Sequence, residues 1–166
     1  MPDGHAARQV DRRVDEGGFK DSRFSYELIR ATCYAPYGGA EMVALAEQRV
    51  AKYGERAHVF VGDVAVIAAP DASFDIVVDY DIIHHIPPWP QALHEIARVL
   101  RPGGSFYFED LFRAFISAWP IRALFDHPQA TQFTAAEFRT ELEATGLSVC
   151  QWRELGTWGV MGCADK

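Results

Sequence analysis

The sequence has no apolar run approaching the roughly 18 residues that a membrane span requires. The first residues are polar and charged, without the apolar core of a secretory signal. Sixteen lysines and arginines face 23 aspartates and glutamates, which gives a net charge of −7. Because phosphate binding requires a basic face, this balance argues against nucleic acid as the main partner. We therefore expect a cytoplasmic protein that binds neither membranes nor nucleic acid.

Cysteine is scarce, with Cys33, Cys150 and Cys163 alone and no paired spacing among them. An odd number without pairs is typical of reduced, buried thiols in the cytoplasm. A catalytic or metal-binding cysteine is the alternative. Asp81, His84 and His85 lie too close in sequence to form a convincing metal site. The sequence therefore predicts no disulfide framework and no metal.

The length of 166 residues favours one domain spanning residues 1–166. A domain of this size buries roughly 70% of its unfolded surface, so it needs no covalent staples. Hydrophobic residues make up 49% of the chain and charged residues 23%, which is ordinary for a globular protein. We expect the polar residues 1–12 to be disordered.

Strand and helix patterns alternate along the chain. Helices are predicted at 22–30, 41–52 and 92–100, and after the capping box from Thr134 to Glu137; strands are predicted at 32–35, 57–61, 74–78, 105–108, 147–154 and 157–164. In the second helix, Met42, Leu45, Ala46 and Val50 form one inward stripe. Alternation of this kind predicts a mostly parallel sheet with right-handed crossovers. The last two strands, separated by Gly156 without a helix, indicate one antiparallel strand at the far end.

Acidic residues follow apolar runs at Asp63, Asp79 and Asp110. In an open parallel sheet, residues just past the strand ends line the ligand crevice. Repeated carboxylates there favour binding of a small polar molecule. For Glu109 and Asp110, orienting a substrate and simple solvation are both open.

The chain from about Ala40 to its C-terminus resembles the class I S-adenosylmethionine-dependent methyltransferases, in particular those that act on small molecules. The resemblance is carried by Gly62-Asp63, by FDIVVDYDIIHHI and by ALHEIARVLRPGGSFYFED, a helix, an Arg-Pro-Gly-Gly turn and an apolar strand in that order. It implies a Rossmann-like α/β fold with a mostly parallel sheet, helices on both faces and an antiparallel C-terminal strand. The implied activity is transfer of a methyl group from S-adenosylmethionine to a small-molecule acceptor.

The resemblance also implies roles for individual residues. Asp63 would accept a hydrogen bond from the adenine amino group, and Val64 would offer its backbone amide to the ring. Asp79 and Tyr80 would lie beside the methionine part of the cofactor. The pair His84-His85 falls close to where the methyl group is delivered, and His85 is the catalytic candidate, since a histidine can remove a proton from an acceptor. The alternative is one packed and one exposed histidine.

The front of the chain departs from the family pattern. Glu16 and Gly18 match the acidic, glycine-rich motif of the cofactor site, but Lys20 and Ser22 occupy two of its glycine positions. Tyr37 stands where the family usually has an acid that grips the ribose hydroxyls. Losing one charged hydrogen bond costs about 1.5–3 kcal/mol, which predicts weakened cofactor binding. A catalytically silent, methyltransferase-like binding protein is therefore the alternative reading.

Three further expectations stay open. The aromatic residues Phe112, Phe115, Trp119 and Phe125 either line an apolar substrate pocket or pack as core and lid. A dinucleotide-dependent oxidoreductase on a similar sheet is disfavoured, because no intact Gly-x-Gly-x-x-Gly turn is present. The protein is expected to be a monomer or a homodimer.

Overall fold

A computed structural model of the chain describes residues 40–56, 59, 62–119 and 132–166. The helices are α1 (Ala40–Val50), α2 (Trp89–Val99), α3 (Arg113–Ile116) and α4 (Ala135–Ala144), with 3₁₀ helices at Ala51–Arg56 and Ile83–His85. The strands are β1 (Phe74–Tyr80), β2 (Leu100–Leu111), β3 (Ser148–Glu154) and β4 (Gly159–Asp165). The predictions for residues 1–39, and most of the strand predicted at 57–61, lie outside the described residues.

The four strands form one sheet in the order β1-β2-β4-β3. β1 and β2 are parallel, while β4 runs antiparallel to both of its neighbours, so β3 points the same way as β1 and β2. The predicted α/β fold, with a mostly parallel sheet and an antiparallel C-terminal strand, is confirmed. The position of the antiparallel strand differs from the prediction, because β4 lies between β2 and β3 and not at the far end of the sheet. After the hairpin turn at Gly156 (φ +63°), β4 pairs with β2 on one side and with β3 on the other, so β3 is the outer strand of this described sheet.

One face of the sheet packs against α2 and α4. The strand alternation points Phe106 and Phe108 to this face, where both are buried, and the rings of Phe108 and Phe138 lie 5.5 Å apart in an edge-to-face contact. α2 begins with Pro90 in its first turn and buries Leu93 into the same core. On the opposite face, β1 exposes 65% of Val78 and 66% of Tyr80.

The predicted Arg-Pro-Gly-Gly turn is a bulge within β2. β2 pairs with Phe74 at Leu100, and regular pairing resumes at Ser105 opposite Ile76. Gly103 has a φ of +79°, and a Cβ at Gly104 would lie 2.8 Å from the backbone oxygen of Asp75. The two glycines are therefore needed where the chain leaves α2 and joins the sheet.

Helix α1 departs from its predicted packing. Leu45, expected to face inward, is 41% exposed, while Ala46 and Val50 are half-buried. The capping box of α4 is confirmed, since Thr134 accepts from the amide of Glu137 and Glu137 accepts from the amide of Thr134.

The cysteine prediction is wrong for two of the three residues. Cys150 and Cys163 form a disulfide between β3 and β4, with their Cα atoms 5.6 Å apart. A bulge between Val149 and Gln151 displaces Cys150 from the regular register and brings it to Cys163 on the neighbouring strand. Cys33 lies outside the described residues. No helix in the described part of the chain has the length and apolar character of a membrane span.

Candidate active site

Four ionisable side chains meet where β1 and β2 end. Asp79 lies on the last inward-facing position of β1, opposite Phe108, and Asp110 lies two residues further along β2 on the same face. Asp81 follows β1 directly, and His84 lies in the 3₁₀ helix after it. Because β1 and β2 are parallel, their carboxyl ends share one edge of the sheet, which brings together residues distant in sequence.

Asp110 holds His84 in place. The Nδ1 atom of His84 is hydrogen bonded to Oδ1 of Asp110, and the backbone amide of His84 donates to Oδ2 at 3.2 Å. The amide of Leu111 also donates to Oδ1, at 2.6 Å. Both side chains are buried, with exposures of 2% for His84 and 1% for Asp110. The carboxylate thus fixes the orientation of the imidazole ring and of the loop that carries it.

Two more carboxyl groups crowd this pair. Burial raises the pKa of Asp79 well above its ordinary 3.8, and the charge of Asp110 raises it further. Burial also raises the pKa of Asp81, again reinforced by Asp110 and partly opposed by His84. Asp79 and Asp110 share a side-chain hydrogen bond, which raises the pKa of Asp79 further because the acid that keeps its proton is the donor. Oδ1 of Asp81 has no hydrogen-bond partner among the described residues.

Of the other residues predicted after β1, Tyr80 lies apart from this cluster and His85 packs beside it. Tyr80 points to the opposite, exposed face of the sheet, because side chains alternate along a strand. His85 is half-buried and its ring lies 4.0 Å from that of His84, centroid to centroid. The structure therefore separates Asp79 from Tyr80, and makes His84, not His85, the partner of Asp110.

The turn that carries Asp63 is stabilised by its own side chain. Oδ1 of Asp63 accepts from the amide of Ala65 at 2.8 Å, and the carbonyl of Asp63 accepts from the amide of Val66 at 3.0 Å. Asp63 is exposed and Val64 is buried. This Asx-type turn leaves the second carboxylate oxygen of Asp63 available to a ligand.

Side chains of helix α2 hold the segment that follows the Asp63 turn. Gln91, in the first turn of α2, donates to the carbonyl of Ala65, and Glu95 accepts from the amide of Ile67. Arg98 donates to the carbonyls of Ile67 and Ala69, both at 2.9 Å. It also pairs with Glu95 and Asp71. Since α2 begins just after the carboxyl end of β1, the contact with Gln91 places the Asp63 turn near the same edge as the cluster.

Sequence reasoning missed these contacts. Glu95 and Arg98 stand three residues apart, which places them on one face of a helix, but the pattern does not reveal that this face meets a loop. The apolar run before Asp110 predicts that this residue lines the ligand crevice, but nothing in the sequence indicates its pairing with His84.

The aromatic residues predicted to form a pocket or a packed lid differ in their burial. Phe112 is buried, Phe115 packs against Trp158 at 5.6 Å between ring centroids, and Trp119 is 84% exposed. Phe125 lies outside the described residues, as do Glu16, Gly18 and Tyr37, the predicted cofactor contacts at the front of the chain. Phe112 belongs to the hydrophobic core, as the packing interpretation predicts for it.

Comparison with known proteins gives a consistent result. A family model described as a methyltransferase domain matches residues 21–108, which is more than half of the chain. A protein of Mycolicibacterium smegmatis, named as a probable S-adenosylmethionine-dependent methyltransferase, is 33% identical over 138 residues, covering 74% of this chain and 52% of that protein. An arsenite methyltransferase of Aquipseudomonas alcaligenes is 32% identical over 81 residues, covering 44% of this chain and 23% of that protein.

Among solved structures, the chain is similar to 1,6-didemethyltoxoflavin-N1-methyltransferase of Burkholderia thailandensis, whose structure holds 1,6-didemethyltoxoflavin and S-adenosylhomocysteine. The TM-score is 0.58 at 22% identity, and the match covers 82% of this chain and 61% of that one. This likeness shows the fold. The chain spans about half the length, or less, of the two curated relatives described above.

Proposed function

We propose, since the chain belongs to the class I S-adenosylmethionine-dependent methyltransferases, that it transfers a methyl group from S-adenosylmethionine to a small-molecule acceptor. The reaction is a displacement at a methyl carbon already activated by the sulfonium. The bond from carbon to sulfur breaks, its electron pair stays on sulfur, and the acceptor atom forms the new bond. The protein's contribution is mainly to position donor and acceptor.

The observation that carries this proposal is the Asp63 turn at the carboxyl edge of the sheet. Asp63 is exposed and Val64 follows it, as expected if this turn binds adenine, and Gln91, Glu95 and Arg98 hold the segment after it. The acidic cluster of β1 and β2 lies at the same edge, where the methyl group would be delivered. A small-molecule acceptor is supported by the relatives, since one is named for arsenite and one structure holds a bound small heterocycle.

Calorimetric titration with S-adenosylhomocysteine tests cofactor use directly. We expect one site in the wild type and at least about tenfold weaker binding for Asp63→Ala, because the variant loses a charged hydrogen-bond acceptor. Asp75→Ala is the matched control, since Asp75 is an exposed aspartate at the opposite end of β1 that pairs with Arg101. Equal affinities for the two variants, or no binding by the wild type at millimolar ligand, would reject the proposal.

Four expectations remain predictions. His85 as proton acceptor is tested by comparing turnover of His85→Asn with that of the wild type.

The catalytically silent alternative depends on Lys20, Ser22 and Tyr37, and the double change Lys20→Gly with Tyr37→Asp tests it: a sharp gain in cofactor affinity would support a decayed site. The cytoplasmic location and the choice between monomer and homodimer also remain to be measured, the latter by sedimentation at several concentrations.

A further inference from the structure

Two aromatic side chains form an exposed surface at the carboxyl edge of the sheet. Phe115 lies in α3, directly after β2, and Trp158 lies in the loop between β3 and β4. The centroids of their rings are 5.6 Å apart, so the two side chains form one continuous aromatic surface. Phe115 is half-buried and Trp158 is 62% exposed. The contact joins residues distant in sequence, so the pattern of the chain does not reveal it.

The backbone holds Trp158 in this position. Its carbonyl accepts from the amide of Phe112 at 2.8 Å, and its amide donates to the carbonyl of Leu155 at 3.2 Å. The amide of Leu155 in turn donates to the carbonyl of Gly159 at 2.9 Å, which closes the loop. The exposed ring is therefore carried by a hydrogen-bonded backbone. A ligand that packs against a ring already held in place loses less free energy in ordering it.

The aromatic surface adjoins the candidate active site. Gly159, the residue after Trp158, pairs with Leu111 at the end of β2. A Cβ at Gly159 would lie 2.3 Å from the backbone oxygen of Asp110, whose side chain holds His84. Ligands of such sheets bind beyond the carboxyl ends of the strands, so a methyl acceptor at this edge comes next to the aromatic surface.

The charges at this edge disfavour an anionic ligand. The charge of Asp110 raises the pKa of both Asp79 and Asp81, so a further negative charge would be repelled there. Arg113, at the start of α3, is paired with Glu137 at 3.3 Å and does not offset these carboxyl groups. The edge therefore combines an apolar, aromatic surface with a negative potential.

We infer that Phe115 and Trp158 bind a flat aromatic group of the methyl acceptor, and that this acceptor carries no negative charge. The inference rests on the proposed function, since it names the class of molecule that the same reaction methylates. A phenol is an example, because its ring can cover Trp158 while its hydroxyl oxygen accepts the methyl group. Packing against the two rings removes apolar area from water and adds the attraction between aromatic groups.

Titration of the full chain with 2-naphthol tests this surface, with and without S-adenosylhomocysteine. 2-Naphthol is uncharged at neutral pH, and 2-naphthoate places a carboxylate on the same ring system. We expect the wild type to bind 2-naphthol about tenfold more tightly than 2-naphthoate. Trp158→Ala should weaken the binding of 2-naphthol about tenfold, whereas Trp158→Phe keeps a ring and should stay within about threefold. Because Trp158 is exposed, both variants keep the core intact.

Val78→Ala is the control, since Val78 is 65% exposed on the face of β1 that is turned away from α2 and α4. This variant should bind 2-naphthol as the wild type does. The inference is rejected if 2-naphthol does not bind at millimolar concentration, if 2-naphthoate binds as tightly, or if Trp158→Ala and Val78→Ala have equal affinities.

The cofactor product separates this result from a failure of the proposed function. Trp158→Ala should bind S-adenosylhomocysteine with the affinity of the wild type, because Trp158 is assigned to the acceptor. Binding of S-adenosylhomocysteine without any binding of 2-naphthol would reject the acceptor class and leave methyl transfer standing. Absence of S-adenosylhomocysteine binding by the wild type would reject the proposed function and this inference with it.

Discussion

The buried carboxylate of Asp110 accepts hydrogen bonds from both the ring and the backbone of His84, 26 residues away in sequence. One side chain at the end of β2 thus fixes the loop that follows β1. The two strands are parallel neighbours, and their pairing alone does not determine the conformation of the loop beyond them. Because Asp110 accepts these hydrogen bonds, it fixes a loop of the candidate active site relative to the sheet.

Replacing Asp110 with asparagine should destabilise the protein. The variant loses a charged acceptor and turns an amide group toward N–H donors of His84 or Leu111. We expect the free energy of unfolding to fall by about 3 kcal/mol, as for other disrupted buried charge networks. Urea unfolding measures the change. Asp75→Asn, which removes one exposed ion pair, should change it by less than about 0.5 kcal/mol, and similar values for the two variants would contradict the role of Asp110.

The capping box of α4 should give a pH-dependent contribution. The amide and side chain of Thr134 lower the pKa of Glu137 below its ordinary 4.5, with Arg113 adding to the effect. Because the folded pKa is lower than the unfolded one, the stabilisation is present above about pH 4.5 and is lost as the pH falls through the folded pKa. Glu137→Gln should therefore cost about 0.5 kcal/mol at pH 7, and this cost should shrink as the pH falls below about 4.5. A difference that stays constant across this range would contradict the assignment.

The same cap can be tested without changing charge. Thr134→Ala removes the hydroxyl that accepts from the amide of Glu137 and should cost about 1 kcal/mol of unfolding free energy. Thr134→Ser keeps the hydroxyl and should stay close to the wild type. Chemical denaturation at neutral pH distinguishes them, and an equal loss in both variants would mean that the methyl group, not the hydroxyl, matters.

The disulfide between Cys150 and Cys163 predicts a defined thiol count. Alkylation of the unfolded, unreduced protein should label one cysteine per chain, and labelling after reduction should reach three. Reduction should lower the unfolding free energy by about 3 kcal/mol, since the bond closes a loop across 13 positions. Mass spectrometry gives the count. Three labelled cysteines before reduction would instead restore the expectation of free thiols drawn from the sequence.

Features set by neighbouring residues could be predicted from the sequence, and those set by distant contacts could not. The Thr134–Glu137 cap depends on a few adjacent positions and is predicted correctly, whereas the turn predicted at Gly103 and Gly104 is a bulge within β2. The disulfide depends on a bulge that only the pairing of β3 with β4 reveals. The contact of His84 with Asp110 likewise depends on where two strands end together. The family resemblance supplied the sheet, but it did not reveal the polar contacts at its edge.

Arg98 offers a test of how the candidate cofactor site is held. Its guanidinium joins the carbonyls of Ile67 and Ala69 to Glu95, so it fixes the segment after Asp63. Arg98→Met keeps the aliphatic length and removes these bonds. We expect the affinity for S-adenosylhomocysteine to fall about tenfold, because the carboxylate of Asp63 is no longer held in the position proposed for adenine binding.

Arg101→Met is the matched control for this change. Arg101 lies three residues further on and also donates to a backbone carbonyl and to an aspartate, but its partners Ala72 and Asp75 lie away from the Asp63 turn. The control should bind the cofactor product as the wild type does. If Arg98 acts through Asp63, then Arg98→Met in an Asp63→Ala background should cause little further loss, because the group it positions is gone. Fully additive losses in calorimetry would show that Arg98 stabilises the fold generally and does not position Asp63.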